Sequence, residues 1–514
     1  MSLLRNFVTV GGATASSRVL GFVRDMFIAA ALGTGPVADA FFVAFRFPNL
    51  FRRLFAEGAF NSAFVPLFAK SLEGDGEPEA RRFAEEALSG LLTALLVVTA
   101  IIEIAMPLFT YVLAPGFSAD PEKFDLTVVL TRIAFPYLTF VSLVALYSGV
   151  LNARGRFAVA AFAPALLNVV LIATLIVVFR FGLANTPAAG IWLTWGTTVG
   201  GIAQLVALVI ATAHNGMMLR LVRPRMTPRL KRLAALALPG VLAGGITQIN
   251  IVIGTMIASL APGAVSFLYY ADRIYQLPLG IVGIAIGIVL LPDLSRHLRA
   301  GRRDLVDFTQ NRALEFAMAL TLPASVALIV MSHPIIALLY QRGSFDAGDT
   351  AATSGALTAF AAGLPAFVLV KVFSPGFFAR EDTRTPMWFA GITVAVNVAV
   401  SLALFPWLAH VGIAIATSLS GWVNMVLLAG ALHRRGHFRF DELLVRRVPL
   451  LALASVLMGA CLAVALALLA GPLAGRLIVR ATTVLALVVG GVAVFALFCQ
   501  LTGAVDFRKL RRRT

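Results

Sequence analysis

Arginines inside an apolar stretch constrain this chain more than any other feature of its sequence. Residues 14–57 read TASSRVLGFVRDMFIAAALGTGPVADAFFVAFRFPNLFRRLFAE, which is long and apolar enough for two membrane-spanning helices. Five of these residues are arginines: Arg18, Arg24, Arg46, Arg52 and Arg53. A charged side chain at the bilayer centre costs about 2.5 to 3.5 kcal/mol on insertion scales, so these side chains should not face lipid. The stretch therefore predicts two spanning helices that line a water-filled cavity.

Composition places the rest of the chain in the membrane as well. Of its 514 residues, 59% are hydrophobic and only 13% are charged, which is typical of a polytopic membrane protein. The formal charge of +17 is carried mostly by short connections between apolar runs, where basic residues act as topology signals. We therefore expect no nucleic-acid partner.

The apolar runs predict an all-α polytopic fold with fourteen transmembrane helices, because each run approaches the roughly 20 residues that a span needs. The predicted spans are residues 7–32, 36–70, 83–113, 124–151, 157–181, 187–213, 233–260, 264–294, 308–331, 349–379, 386–407, 411–432, 449–470 and 477–503. The alternate connections that hold most Lys and Arg are then cytoplasmic, and so are the N and C termini. The connections on the other side carry only Lys123, Arg180, Arg342, Arg476 and Arg480.

An internal repeat indicates how these spans are grouped. The stretch with Pro48 and VPLFAKSL resembles the one with Pro278 and LPDLSRHL, and GVLNARGRFAV leading to Asn168 resembles GFFAREDTRTP leading to Asn397. Both pairs lie 226 to 230 residues apart, which predicts two six-helix lobes of parallel topology. We expect an N-lobe at 1–213, a basic cytoplasmic linker at 214–232, a C-lobe at 233–435, and two further helices with a basic tail at 436–514.

The linker has two interpretations. It is either an amphipathic surface helix attracted to anionic lipid or a solvated topological anchor, and we favour the anchor.

Charged residues of both halves predict an anion site. Guanidinium groups match phosphate oxygens in pairs, and a cluster of cations at low dielectric needs an anion. The C-lobe contributes Arg273 next to Asp272, and Lys371. The alternative is that each arginine pairs with a neighbouring carboxylate and holds the bundle together; Arg53 with Glu57 is the strongest case. The sequence has no motif for a catalytic or metal site, and Cys461 and Cys499 read as packing residues.

Several motifs together resemble the MurJ (MviN) family of lipid II flippases, within the multidrug/oligosaccharidyl-lipid/polysaccharide (MOP) exporter superfamily. They are SRVLGFVRD, ADAFFVAFRFPNLFRRLFAEGAF, VPLFA, YYADRIYQLP and PGFFAREDTRTP. The resemblance spans nearly the whole chain. It implies two lobes around a cationic cavity, with the last two helices forming a groove for the lipid tail. It also implies location in the bacterial cytoplasmic membrane and lipid II, the undecaprenyl-pyrophosphate disaccharide-pentapeptide, as substrate, with other cell-wall synthesis and division proteins as possible partners.

The family's site residues transfer to this sequence by motif. The resemblance implies a substrate-binding set of Ser17, Arg18, Arg24, Asp25, Asp39, Arg52, Glu57 and Arg273, with Arg53, Asp272 and Lys371 as structural or secondary cavity residues. A sodium site known in the family uses a carboxylate on the seventh helix, but residues 233–260 contain no Asp or Glu and offer only Gln248 and Asn250. Sodium, protons and membrane potential therefore stay open as the driving force, and no cofactor is expected.

Two other functions fit parts of the sequence. One is another exporter of the superfamily, such as an O-antigen-type flippase for lipid-linked oligosaccharides. The other is a membrane enzyme acting on polyprenyl phosphates, against which stands the lack of an acidic metal-binding cluster. We predict a flippase that works by alternating access and is not an enzyme. A non-transporting scaffold would instead tolerate neutral residues in place of the intramembrane arginines.

Overall fold

The structure is a computed structural model that describes residues 3–52 and 60–504 of the chain, with the side chains of 3–8, 62, 240–244, 246, 247, 284, 285 and 287–289 left aside. Within these ranges all regular structure is helical, which confirms the predicted fold class. The first ten helices are α1 Leu3–Leu32, α2 Pro36–Arg52, α3 Asn61–Gly74, α4 Glu77–Ile104, α5 Met106–Leu113, α6 Pro121–Ala134, α7 Tyr137–Ala153, α8 Phe157–Arg180, α9 Pro187–His214 and α10 Pro228–Ala258. The other eight are α11 Ala264–Arg299, α12 Arg303–Val330, α13 Ser332–Tyr340, α14 Ala347–Phe378, α15 Arg384–Arg434, α16 Glu442–Leu468, α17 Ala470–Leu473 and α18 Leu477–Thr502.

In the described residues every predicted span coincides with one or two of these helices, and prolines lie at two of the interruptions. The third span is divided between α4 and α5 just before Pro107, and the fourth is divided between α6 and α7 at Pro136. Proline has no N–H to donate to the preceding turn, so the chain bends there. The predicted break between the eleventh and twelfth spans lies inside α15, where Ala409 leaves the helical region with φ 42° and ψ −125°.

Nine helical segments of the described chain are long and apolar enough to cross a membrane. They include α4, α8, α9, α12, α14, α16 and α18, together with the continuous run 121–153 and the 51-residue α15. The chain is therefore a multi-pass membrane protein. The count of fourteen spans and the cytoplasmic position of both termini stay predictions.

Close packing divides the chain into two compact units. The first contains residues 1–266 with 342–345, and the second contains 267–341 with 346–514. The boundary differs from the predicted linker because α10 packs on α3, α4 and α5 of the first unit. The grouping into two six-helix lobes therefore stays a prediction.

One end of the first unit gathers connections that were predicted to share the cytoplasmic side. Arg154, after α7, forms an ion pair with Glu77 at the start of α4, with 2.7 Å between NH2 and Oε1. Arg81 NH2 donates to the carbonyl oxygen of Gly216 in the predicted linker at 2.7 Å. Linker residues 215–227 are not helical, so the less favoured interpretation, a surface helix, does not hold for that part, although α10 begins at Pro228.

In the second unit, α16 and α18 pack on one another and on α12 and α13. Their contact is a small apolar cluster that buries Leu462 of α16 and Leu487 of α18 together with Met331. The other faces of α16 and α18 expose large aliphatic side chains, among them Val464 at 61% and Val489 at 61%. These two helices therefore present a broad apolar surface.

Candidate substrate-binding site

The charged pair in the middle of α1 is buried and tied to α8. Arg24 is 6% exposed and Asp25 is 2% exposed. Arg24 donates to Asp25 Oδ1 from Nε at 3.0 Å and from NH2 at 2.7 Å, while NH1 donates to Asn168 Oδ1 at 2.9 Å. Hydrogen bonds between charged groups are roughly twice as strong as neutral ones. All three guanidinium nitrogens are engaged, so the orientation of Arg24 is fixed.

Asn168 connects this pair to Ser17, about two turns earlier in α1. Its Nδ2 donates to the carbonyl oxygen of Ser17 at 3.0 Å, and the residue is 5% exposed. Helix α1 continues through Gly21 without a break, and α8 supplies the contact by packing on α1. Ser17 is half-buried and Arg18 is exposed. No described residue accepts a hydrogen bond from the Arg18 guanidinium.

Asp39, in the first turn of α2, has a different environment. It is fully buried, and Lys123 Nζ of α6 lies 2.7 Å from its Oδ2. The backbone N–H groups of Gly263 and Ser266 donate to the carboxylate at 3.0 Å each, and the Ser266 hydroxyl donates at 2.7 Å. Asp39 thus neutralises a buried lysine and caps the N-terminus of α11, where N–H groups lack helical acceptors. This geometry fits a structural role for Asp39, whereas the resemblance to the family's motifs predicted substrate binding.

The remaining charges of α2 lie further along that helix. Arg52 is half-buried, and its Nε donates to Asn49 Oδ1 at 3.0 Å. Arg46 reaches α10, where its NH1 donates to Thr255 Oγ1 at 2.6 Å. The predicted pair of Arg53 with Glu57 lies outside the described residues.

The second unit holds the predicted residues of the C-lobe. Arg273 NH2 donates to the hydroxyl of Tyr269 at 2.9 Å, and its guanidinium carbon lies 4.9 Å from the centre of that ring. Asp272 accepts a hydrogen bond from Gln276 one turn later. Lys371 is exposed and extends across Gly283 of α11, where a Cβ atom would lie 2.6 Å from its Nζ. Convergence of Arg273 with the arginines of the first unit stays a prediction.

Sequence reasoning did not assign Asn168 or Lys123 to a site. Asn168 appeared only as a marker of the repeat, and Lys123 only as a basic residue in an outer connection. A signal for Asn168 was present, because it is the one amide in the 24-residue apolar α8, and an amide there needs a buried partner. Nothing in the sequence pairs Lys123 with Asp39, since 84 residues separate them.

The arrangement brings cations together with carboxylate and amide oxygens. No group of three His, Cys, Asp or Glu side chains in the described chain could hold a metal ion. Arg24 contacts Asp25 and Asn168 through side-chain atoms, so a ligand oxygen can replace the carboxylate of Asp25 without unfolding a helix end. Phosphate oxygens suit this exchange because they accept paired N–H donors as carboxylates do.

Comparison with known proteins gives consistent matches along the chain. A family profile described as lipid II flippase MurJ matches residues 28–482. The chain is 52% identical over 515 residues to a probable lipid II flippase MurJ of Rhizobium meliloti, a match that covers 100% of this chain and 96% of the relative. It is 36% identical over 449 residues to the lipid II flippase MurJ of Burkholderia cenocepacia, with 85% of each chain covered.

Solved structures show the same likeness. A lipid II flippase MurJ in an inward closed conformation matches with a TM-score of 0.80 and 25% identity over 98% of this chain and 99% of the other. An inward-facing multidrug transporter of the MATE family in the MOP superfamily matches with a TM-score of 0.67 and 14% identity, over 82% of this chain and 95% of the other. The second match shows a shared fold only.

Proposed function

Because this chain belongs to the MurJ family of lipid II flippases, we propose that it moves lipid II from the inner to the outer leaflet of the bacterial cytoplasmic membrane by alternating access. The substrate leaves the protein chemically unchanged, so the chain acts as a transporter and not as an enzyme. The proposal places both termini and the linker in the cytoplasm. The contacts of Arg81 and Arg154 support this side assignment, since they join connections predicted to be cytoplasmic.

The observation that carries the proposal is the buried, fixed guanidinium of Arg24. A cation that is 6% exposed inside a membrane protein is costly unless a counter-charge accompanies it, and here Asp25 supplies that charge. We assign to Arg24 a direct contact with the pyrophosphate of lipid II, which exchanges with Asp25 for the Nε and NH2 donors. Asn168 keeps NH1 in place during the exchange.

Three further arginines complete the proposed headgroup site. Arg18 is exposed one and a half turns before Arg24 on the same helix, so it offers its guanidinium to a ligand at once. Arg52 and Arg273 are half-buried and held by Asn49 and by Tyr269. A pyrophosphate needs several cations because it carries more than one negative charge at neutral pH. Ser17, Glu57 and Lys371 remain proposed as members of the cavity, while Asp39 is proposed for the scaffold.

The lipid tail requires an apolar surface that stays continuous with the membrane. The exposed faces of α16 and α18 meet this need, with large side chains such as Val456 at 60%, Val492 at 64% and Leu501 at 70% exposure. Inside the bilayer both the tail and this surface are already out of water, so van der Waals packing stabilises their contact. We propose that the undecaprenyl tail lies along this surface while the headgroup crosses.

Transport by the purified chain tests the proposal. The protein is reconstituted into liposomes that contain lipid II in both leaflets, and lipid II in the outer leaflet is consumed by a soluble enzyme added outside. We expect the inner pool to become accessible with the wild type and to stay protected with R18A, R24A, R52A and R273A. Protection equal to that in empty liposomes for the wild type would overturn the proposed function.

The same assay tests the tail surface with substitutions at positions that face outward. Val464→Lys and Val489→Lys place a charge on the exposed face and should slow transport while the protein remains folded. Leu462→Lys is the matched control for packing, because Leu462 is buried between the two helices and its replacement should lower the melting temperature. Wild-type transport by both exposed-face variants would remove the tail from this surface.

A further inference from the structure

Residues 215–227, between α9 and α10, lie along α4 in a non-helical conformation. The backbone N–H of Arg220 donates to Glu85 Oε1 at 3.0 Å, and that of Val222 donates to Ser89 Oγ at 2.9 Å. The Thr227 hydroxyl donates to Glu86 Oε2 at 2.7 Å. Three successive contacts with one helix fix the course of this segment.

These contacts hold the middle of the segment beside α4, at a depth inside the predicted membrane span. Ser89 lies six residues inside the third predicted span, or about 9 Å along α4 at 1.5 Å per residue. The polar headgroup layer on each side of a bilayer is about 5 to 7 Å thick. The segment around Val222 therefore reaches the boundary between headgroups and acyl chains.

The outward side of the segment combines cations with large apolar side chains. Met218, Leu221 and Met226 are 64%, 66% and 66% exposed. Between them lie three exposed arginines, and we define the linker surface as these six residues: Met218, Arg220, Leu221, Arg223, Arg225 and Met226. On the inward side Met217 is fully buried in the core of the first unit, so the segment cannot turn over.

The neighbouring carboxylates do not neutralise the arginines of the linker surface. Glu85 and Glu86 accept hydrogen bonds from the linker backbone and from Thr227, and Glu79 is paired with Arg82 and Arg229. Within the described chain, no hydrogen bond or ion pair engages the guanidinium groups of the linker surface. Three positive charges are thus presented at headgroup depth beside side chains suited to the acyl boundary.

We propose that the linker surface binds anionic phospholipid headgroups of the cytoplasmic leaflet. The guanidinium groups pair with phosphodiester oxygens, and Leu221 and Met226 enter the upper acyl region, as in interfacial segments that combine basic and apolar residues. The proposal rests on the cytoplasmic assignment of this loop given above. It adds to the proposed transport function a lipid site that takes no part in binding lipid II.

The test measures how tightly the delipidated full-length protein in detergent binds added phosphatidylglycerol and phosphatidylcholine. Native mass spectrometry counts the bound lipids. The variant R220Q/R223Q/R225Q should lose phosphatidylglycerol affinity by about tenfold or more, since each basic residue near an anionic surface contributes about fivefold. Its phosphatidylcholine affinity should not change. The control R299Q/R302Q/R434Q removes the same charge from exposed arginines of the second unit and should shift phosphatidylglycerol affinity by less than about threefold.

A second measurement tests the apolar half of the surface. An environment-sensitive fluorophore on a cysteine replacing Leu221, in a chain without Cys461 and Cys499, should report an apolar surrounding in phosphatidylglycerol nanodiscs and a wetter one in phosphatidylcholine nanodiscs. Equal losses of phosphatidylglycerol affinity in the two triple variants, or the same fluorophore spectrum in both nanodiscs, would overturn the inference. Inorganic phosphate added as a competitor should displace phosphatidylglycerol poorly, and displacement as effective as that by phosphatidylglycerol itself would also overturn the inference. Lipid II affinity, measured on the same triple variants, should stay at the wild-type level. A loss of lipid II affinity without a loss of phosphatidylglycerol affinity would overturn the inference, because the linker surface would then belong to the transport site.

Discussion

Two buried carboxylates in the first unit, Asp25 and Asp39, are neutralised by different kinds of partner. Asp25 receives side-chain donors from Arg24, and Arg24 is held in turn by Asn168. Asp39 receives an ammonium from Lys123 but also two backbone N–H groups and one hydroxyl from the residues around the start of α11. Both carboxylates belong to motifs whose resemblance predicted substrate binding: Asp25 ends SRVLGFVRD, and Asp39 lies in ADAFFVAFRFPNLFRRLFAEGAF.

The difference teaches which of the two clusters can exchange a partner. Side-chain donors can turn toward a ligand oxygen by a change of rotamer, while the helices stay intact. Backbone donors at a helix end cannot turn without moving the helix. The two motifs therefore provide one carboxylate suited to substrate exchange and one suited to holding α2, α6 and the start of α11 together.

The largest expected effect is loss of stability on removing Asp39. Asp39→Ala leaves the Lys123 ammonium buried without its counter-charge and two N–H groups without an acceptor. Breaking a buried ion pair typically costs about 3 to 5 kcal/mol of unfolding free energy. We expect a strongly lowered melting temperature in detergent, with lipid II affinity unchanged in the fraction that stays folded.

Lys123→Met in the Asp39→Ala background serves as the control. Removing the uncompensated ammonium should return part of the lost stability, since an apolar side chain of similar length costs less to bury than an unpaired charge. A wild-type melting temperature for Asp39→Ala itself would show that the cluster does not hold the helices and would break the comparison.

The next effect concerns ligand affinity. Arg24→Lys keeps the positive charge but replaces the planar fork by a point charge, which cannot engage two oxygens in parallel. We expect about tenfold weaker binding of detergent-solubilised lipid II, equivalent to about 1.4 kcal/mol. Equal affinity of Arg24→Lys and wild type would mean that charge alone is needed at this position.

A smaller effect is expected at Asn168, because it acts on the ligand through Arg24. Asn168→Ala removes one acceptor from the guanidinium, and a net hydrogen bond is worth about 1 kcal/mol, or about fivefold in lipid II affinity. Gln204→Ala is the matched control, because Gln204 is a buried amide of the same unit that donates to the carbonyl oxygen of Ala163. Equal affinity losses for both variants would assign Asn168 to packing only.

The smallest effect is at a carboxylate outside the spanning segments. Hydrogen bonds from the Thr385 amide and hydroxyl, and then from Arg435, lower the pKa of Asp382 to about 2. A lowered folded-state pKa stabilises the protein fully above the unfolded value of about 3.9, and this contribution is lost as the pH falls toward 2. Asp382→Asn should cost less than about 1 kcal/mol at pH 7, because the pair is partly exposed, and the difference from wild type should shrink at pH 3. A gap that grows on acidification would contradict this account.

Much of the fold could be predicted because apolar length and basic connections are local properties of the chain. The described residues of all fourteen predicted spans coincide with helices, and the third and fourth spans are divided near Pro107 and Pro136. The division into compact units was less predictable. The side on which α10 packs depends on tertiary contacts with α3, α4 and α5, and the periodicity of α10 does not encode them.

The site was predicted at the level of residue types and less well at the level of partners. The arginines of α1 stand out because a charge in an apolar run demands an explanation. The sequence could not show that Arg24 turns to Asn168, which is 144 residues away, or that Asp39 meets Lys123. Such pairs arise from helix packing, so a motif gives the charges and the structure gives their partners.

The most direct test of the central claim is the lipid II affinity of the double variant R24A/D25N. The single variant R24A leaves Asp25 buried without its cation, so a loss of affinity could arise from misfolding; neutralising both members removes that charge and should restore the melting temperature. We predict that R24A/D25N melts near the wild-type temperature and binds lipid II at least about tenfold more weakly, because a charged hydrogen bond is worth about 1.5 to 3 kcal/mol. Wild-type affinity in this stable double variant would contradict the claim and assign Arg24 to the scaffold.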